Sequence, residues 1–95
     1  MVKWFLAIAC MLAIPGVSFS CEHCLAQAKA QRQANGGVMR HDHSPIGNGR
    51  YEGVGYSSVS SDDAIRRCCY WGQRTAIGIG VARGERGFYA TVIYR

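Results

Sequence analysis

The chain has little negative charge and little lysine. It carries six Asp and Glu against eleven Lys and Arg, a formal net charge of +5. Arginine supplies nearly all of the positive charge, and Lys29 is the only lysine after Lys3. The basic residues are spread along the chain. They include Arg66-Arg67 and the Arg83/Arg86 pair, but no dense basic run, so a solvated surface explains them better than nucleic-acid binding. Long apolar runs are also missing. Trp4 to Ile14 is too short to cross a bilayer, and no transmembrane segment is expected after it. There is no internal repeat, no low-complexity tract and no linker. Ninety-five residues allow at most one domain.

What is present begins with a leader. Lys3 provides a positive start, Trp4 to Ile14 an apolar core, and Pro15-Gly16 a break. Ser18 and Ser20 stand at the −3 and −1 positions of a cleavage site. Residues 1–20 therefore read as a secretory signal peptide, and residues 21–95 as one small domain. Lipidation at Cys21 would need an aliphatic residue at −3, where Ser18 stands. A secreted or periplasmic, extracytoplasmic location follows from this reading. Without Lys3 the balance is ten basic against six acidic residues, or +4.

A domain this small buries too little core to be stable easily. Four cysteines remain after the leader: Cys21, Cys24, Cys68 and Cys69. An even number in an exported chain favours disulfides. Adjacent cysteines rarely bond to each other because the bridge strains the intervening peptide. The expectation is at least one cross-link between the Cys21/Cys24 pair and the Cys68/Cys69 pair.

The order of elements is helix, strand, helix, strand, strand. Cys21 to Asn35 is rich in Ala and Gln and free of Gly and Pro, with Leu25 and Ala28 on a weak inner face; Gly36-Gly37 ends it. Val38 to Arg50 is a loop. Tyr51 to Ser57 is a strand. Ser60 or Ser61 caps a second helix, Ser60 and Asp63 have capping-box spacing, and Gly72 stops that helix. In the next strand Ile77, Ile79 and Val81 form an apolar row expected to meet the helices. Gly78 and Gly80 lie on the opposite face, open to an aromatic ring or a neighbouring backbone. Arg83-Gly84-Glu85-Arg86 turns the chain into Gly87 to Tyr94. That strand has large side chains on both faces and should be central. The fold class is α/β (α+β): a small α-β-α sandwich with a three-stranded, mainly antiparallel sheet.

The chemistry offered is sparse. His41-x-His43 with Glu52 could hold a divalent metal such as zinc, since imidazole and carboxylate are ordinary ligands. A polar loop facing water is the competing reading. Cys21-x-x-Cys24 follows no strand, so thioredoxin-like redox work does not fit. Gly78-x-Gly80 is followed by a hairpin and not a helix, which excludes a dinucleotide loop. Glu52 shares a face with Val54 and Tyr56 and needs a partner if that face is inward. His41 or His43 is one candidate partner, and Arg50 or Arg74 is the other.

The motifs resemble a shortened, degenerate member of the CAP superfamily, the SCP-like or cysteine-rich secretory protein domains. The Ala26–Arg32 helix, a loop His, the strand opening at Glu52, Ala64-Ile65 with Trp71, the Gly78/Gly80 strand and the Phe88–Tyr94 strand follow that family's order. The resemblance implies an α-β-α sandwich, an extracytoplasmic role and a cavity of two His and two Glu. Here Gly72-Gln73-Arg74-Thr75 stands where the second His would be, and no second Glu matches. The expected function is an exported domain that binds or scaffolds, with an unknown ligand or envelope component as partner and no nucleic acid. A metal-dependent hydrolase using His41, His43 and Glu52 is one alternative. A cationic envelope-binding module is the other.

Overall fold

The computed structural model describes residues 21–95; the leader at residues 1–20 lies outside the described residues. The elements are α1 (Glu22–Gly36), β1 (Tyr51–Ser57), α2 (Ser61–Arg66), β2 (Ala76–Gly84) and β3 (Gly87–Tyr94). The strands form one antiparallel sheet in the order β1-β3-β2. β3 is central, as its two-sided apolar pattern predicts. α1 covers one face of the sheet, and α2 with the turn after it covers the other. The architecture is the expected α-β-α sandwich.

Local chemistry sets the ends of the elements. Gly37 closes α1 in the left-handed conformation (φ 67°), where its lack of a Cβ removes the usual steric cost. The Ser60 side chain accepts a hydrogen bond from Asp63 N at 3.1 Å and caps α2. That helix ends at Arg66, earlier than expected. Cys68 through Arg74 form turns instead, with Tyr70 at φ 68° and Gly72 at φ 82°.

The glycine row admits a neighbouring backbone, as expected, but that backbone belongs to α1, expected instead on the apolar row. A Cβ on Gly80 would run into the backbone of Ala26 and Gln27, and one on Gly78 into that of Glu22. The inner face of α1 is accordingly small and polar: Ala26, Lys29, Ala30, Gln33 and Ala34 are its buried residues. Leu25 and Ala28 are not among them, which corrects the expected face. Ile77 also leaves its row. A register shift between Ala76 and Gly78 takes it out of the ladder, and Ala76 joins the core with Ile79 and Val81.

Two clusters make the core. Tyr89, Ala82, Ala30 and Ala34 pack under α1, with Tyr56 beside them. Ala90, Val92 and Tyr94 pack under Ala64 and Cys68 on the other face. β2 is an edge strand, and α1 covers its free backbone groups. His23 Nδ1 accepts from Ile79 N at 3.0 Å. One turn later, Gln27 accepts from Val81 N at 3.1 Å and donates to Val81 O at 2.8 Å. An edge blocked in this way has fewer groups to offer another chain.

The disulfide is local. Cys21 bonds to Cys24, while Cys68 and Cys69 are free thiols, buried and exposed respectively. The expected cross-link between the two pairs is not formed. Cys21 and Cys24 are one helical turn apart at the start of α1, and Cys68 and Cys69 lie against β1 across the sheet.

Candidate functional site

The site is built around a buried lysine. Lys29 lies on the inner face of α1 and is 2 % exposed. A buried ammonium requires partners for its protons, and the segment after α1 brings them. Asp42 accepts from Ser44 N at 3.0 Å, closing a tight turn in which His43 takes φ 61°. The turn aims Asp42 and Ser44 back at the helix. Lys29 Nζ lies 2.8 Å from Asp42 Oδ1, 2.7 Å from both Ser44 O and Ser44 Oγ, and 2.9 Å from Glu52 Oε1. Helix, loop and first strand are joined at this one nitrogen.

The carboxylates are shared outward. Arg32 Nε donates to Asp42 Oδ2 at 2.6 Å, and its other nitrogen reaches Ser44 Oγ at 2.8 Å. Burial by itself would push the Asp42 carboxyl up. The hydrogen bonds from Lys29, Ser44 and Arg32 outweigh it and hold the group well below the usual carboxylate range. Glu52 Oε2 lies 2.6 Å from His41 Nδ1. An ionised carboxylate only accepts, so the proton of this bond sits on Nδ1. Glu52 thus stands between Lys29 and His41, one oxygen to each.

A cleft of about 500 Å³ opens over this pair, lined by His41, His43, Pro45, Arg50, Tyr51 and Tyr70 among others. Arg74 stacks on its aromatic wall, its guanidinium carbon 3.7 Å from the Tyr51 ring centre and 5.1 Å from that of Tyr70.

No protein-family model, no curated protein and no solved structure matches the chain. The site is therefore read from its own chemistry. Of the three residues singled out as metal ligands, the structure brings His41 and Glu52 together. His43 lines the same cleft, and no hydrogen bond joins it to either. Among the described residues, no group of three or more His, Cys, Asp or Glu side chains is placed to hold an ion. Arg50 and Arg74 are not the partners of Glu52; Arg74 stacks on tyrosines instead.

Lys29 is the residue that sequence reasoning missed. Its signal was faint: a lone lysine among arginines, on a helix whose other inner positions are Ala and Gln. Ser44 has the look of a nucleophile beside a lysine, but its bonds argue otherwise. Its hydroxyl donates to Asp42 Oδ1 at 2.6 Å, and its oxygen accepts from Lys29 and Arg32. A lysine whose ammonium donates to Asp42 and to both oxygens of Ser44, with Glu52 beside it as a counter-ion, has no lone pair with which to take the serine proton. Cys68 is no better placed, because burial, with Cys69 beside it, pushes its thiol up to about 12.

Proposed function

We propose that the protein is an exported, CAP-like binding domain that holds a small polar ligand without reaction in the cleft over His41 and Glu52. One observation carries the reading: Glu52 is fixed between Lys29 at 2.9 Å and His41 at 2.6 Å, at the base of an open concavity. Such a carboxylate is pre-organised on both sides, and pre-organisation reduces the ordering cost of binding. His41 is 47 % exposed and free to meet a ligand with its remaining ring nitrogen. The leader, the element order and the pairing of a loop His with the strand Glu support the CAP-like assignment.

A fragment screen by NMR tests it. Fragments that bind should move the signals of Tyr51, Glu52 and Tyr70 together, and Glu52→Gln should weaken them about tenfold, the value of one charge-assisted hydrogen bond. Fragments that move only signals elsewhere would refute the cleft. Elemental analysis separates the competing reading: about one equivalent of chelator-removable zinc would assign His41, His43 and Glu52 to a metal instead.

A further inference from the structure

The cleft end of the sheet carries more positive charge than its acids can answer. Arg50 N donates to Tyr94 O at 2.8 Å and Arg95 N to Thr75 O at 2.9 Å, so the chain around Arg50, Arg74 and Arg95 converges there. All three arginines are exposed, and among the described residues none is in an ion pair. The acids of this end are already engaged. Glu52 serves Lys29 and His41, Asp42 serves Lys29 and Arg32, and Glu22 accepts from Asn48 N at 2.9 Å. The other acids belong to the far end. Glu85 sits in the β2–β3 turn, and Asp63 bonds Ser57 at the last residue of β1.

Aromatic surface lies at the same end. Tyr70 and Trp71 are 38 % and 36 % exposed. Tyr70 is held at φ 68°, a conformation that costs a bulky side chain energy. The turn is fastened around it: Trp71 N donates to Cys68 O, and Gln73 N and Arg74 N both donate to Tyr70 O. Arg74 then sits over Tyr51, fixing a cation beside a ring. The turn so held sets aromatic and guanidinium groups side by side.

We propose that this end binds an acidic polysaccharide, a chain of sugar rings bearing carboxylates. The inference deepens the cleft reading above and rests on it. Trp71 offers a ring for stacking against a sugar, beside the exposed part of a Tyr70 ring that Tyr51, Tyr94 and Arg74 hold in place. Arg50 and Arg74 offer forked donors that match a carboxylate, and Glu52 accepts from sugar hydroxyls. Single-stranded nucleic acid would also use rings and arginines. The backbone of DNA offers Glu52 no hydroxyl donor, whereas every ring of an acidic polysaccharide carries several.

The test titrates the oxidised, isotope-labelled protein with an oligogalacturonate, its methyl-esterified form, a neutral glucan oligomer and oligo-dT, at low and high salt. Oligogalacturonate is expected to shift the signals of Arg50, Tyr51, Tyr70 and the Trp71 indole, and to bind more weakly as salt rises. Arg74→Gln and Trp71→Ala should each lower affinity about tenfold or more while the spectrum stays dispersed, as one lost charged hydrogen bond or stacking contact predicts. Equal binding of the esterified chain, or tighter binding of oligo-dT, would overturn the proposal. Binding of the neutral glucan alone at Tyr51 and Glu52 would sink the acidic class and leave the cleft standing. No shift at the cleft with any of the four would refute both.

Discussion

Lys29 shows how one side chain can set the stability of a domain this small. Four oxygens from Asp42, Ser44 and Glu52 lie within 2.9 Å of its nitrogen. Replacing such a group leaves Asp42 and Glu52 without their shared cation. Removing one partner of a buried ion pair typically costs about 3–5 kcal/mol. Lys29→Met should therefore lower the unfolding free energy by about that amount near neutral pH, as measured by urea denaturation. The pH dependence has a definite sign. Asp42 is held below its ordinary value of 3.8, so its contribution is complete above that value and is lost as pH falls beneath it. The gap between wild type and Lys29→Met should narrow in acid as the Asp42 contribution is lost. A gap that stays constant down to pH 3 would show that the charges are not its source. Two members of this cluster, His41 and Glu52, are legible in the sequence; Asp42, Ser44, Arg32 and the central Lys29 are not. Glu52 announces itself by sharing a strand face with Val54 and Tyr56, and His41 follows as a loop neighbour. Lys29 does not, because a buried lysine is visible only from what surrounds it.

At the scale of elements, small residues decide the packing. α1 has little apolar surface of its own, and its buried positions are mostly Ala. It compensates by close approach, lying directly on Gly78 and Gly80. This explains why the strand order, the capping Ser60 and the closing Gly37 were legible while the docking face of α1 was not. Caps and alternation are local signals. The choice between an Ala28 face and an Ala30 face is made by a strand some fifty residues away, through glycines that have no side chain to reveal the match. Gly80→Ala tests the account. The added methyl meets helix backbone, which cannot rotate away as a flexible side chain would. Overpacking of this kind costs about 1–3 kcal/mol, and Gly36→Ala, where a Cβ meets open space, should cost far less. Equal melting temperatures for the two variants would show that α1 does not rest on β2 as described.

The molecule as a whole is three layers deep around a sheet of three strands, and its covalent bridge joins none of those layers. A staple between layers is what four cysteines in so small a domain lead one to expect, because such a domain has limited area to bury. The structure distributes that task differently. Lys29 links α1, the 38–50 loop and β1; His23 and Gln27 tie α1 to the edge strand; Gln33 donates to Thr91 at 2.6 Å in the interior. The Cys21–Cys24 bridge closes a loop of only a few residues at the entry to α1. On the chain-entropy account such a loop stabilises by about 2 kcal/mol, against about 4 kcal/mol for a bridge spanning to Cys69. The double variant Cys21→Ser/Cys24→Ser should therefore remain folded, with its unfolding free energy lowered by about 2 kcal/mol. Thiol counting checks the arrangement independently. The native protein should show one fast-reacting thiol, Cys69, and a second, Cys68, only on unfolding, since burial holds Cys68 protonated and covered. A variant that fails to fold, or native protein with no reactive thiol at all, would restore the cross-link between layers and remove the local bridge.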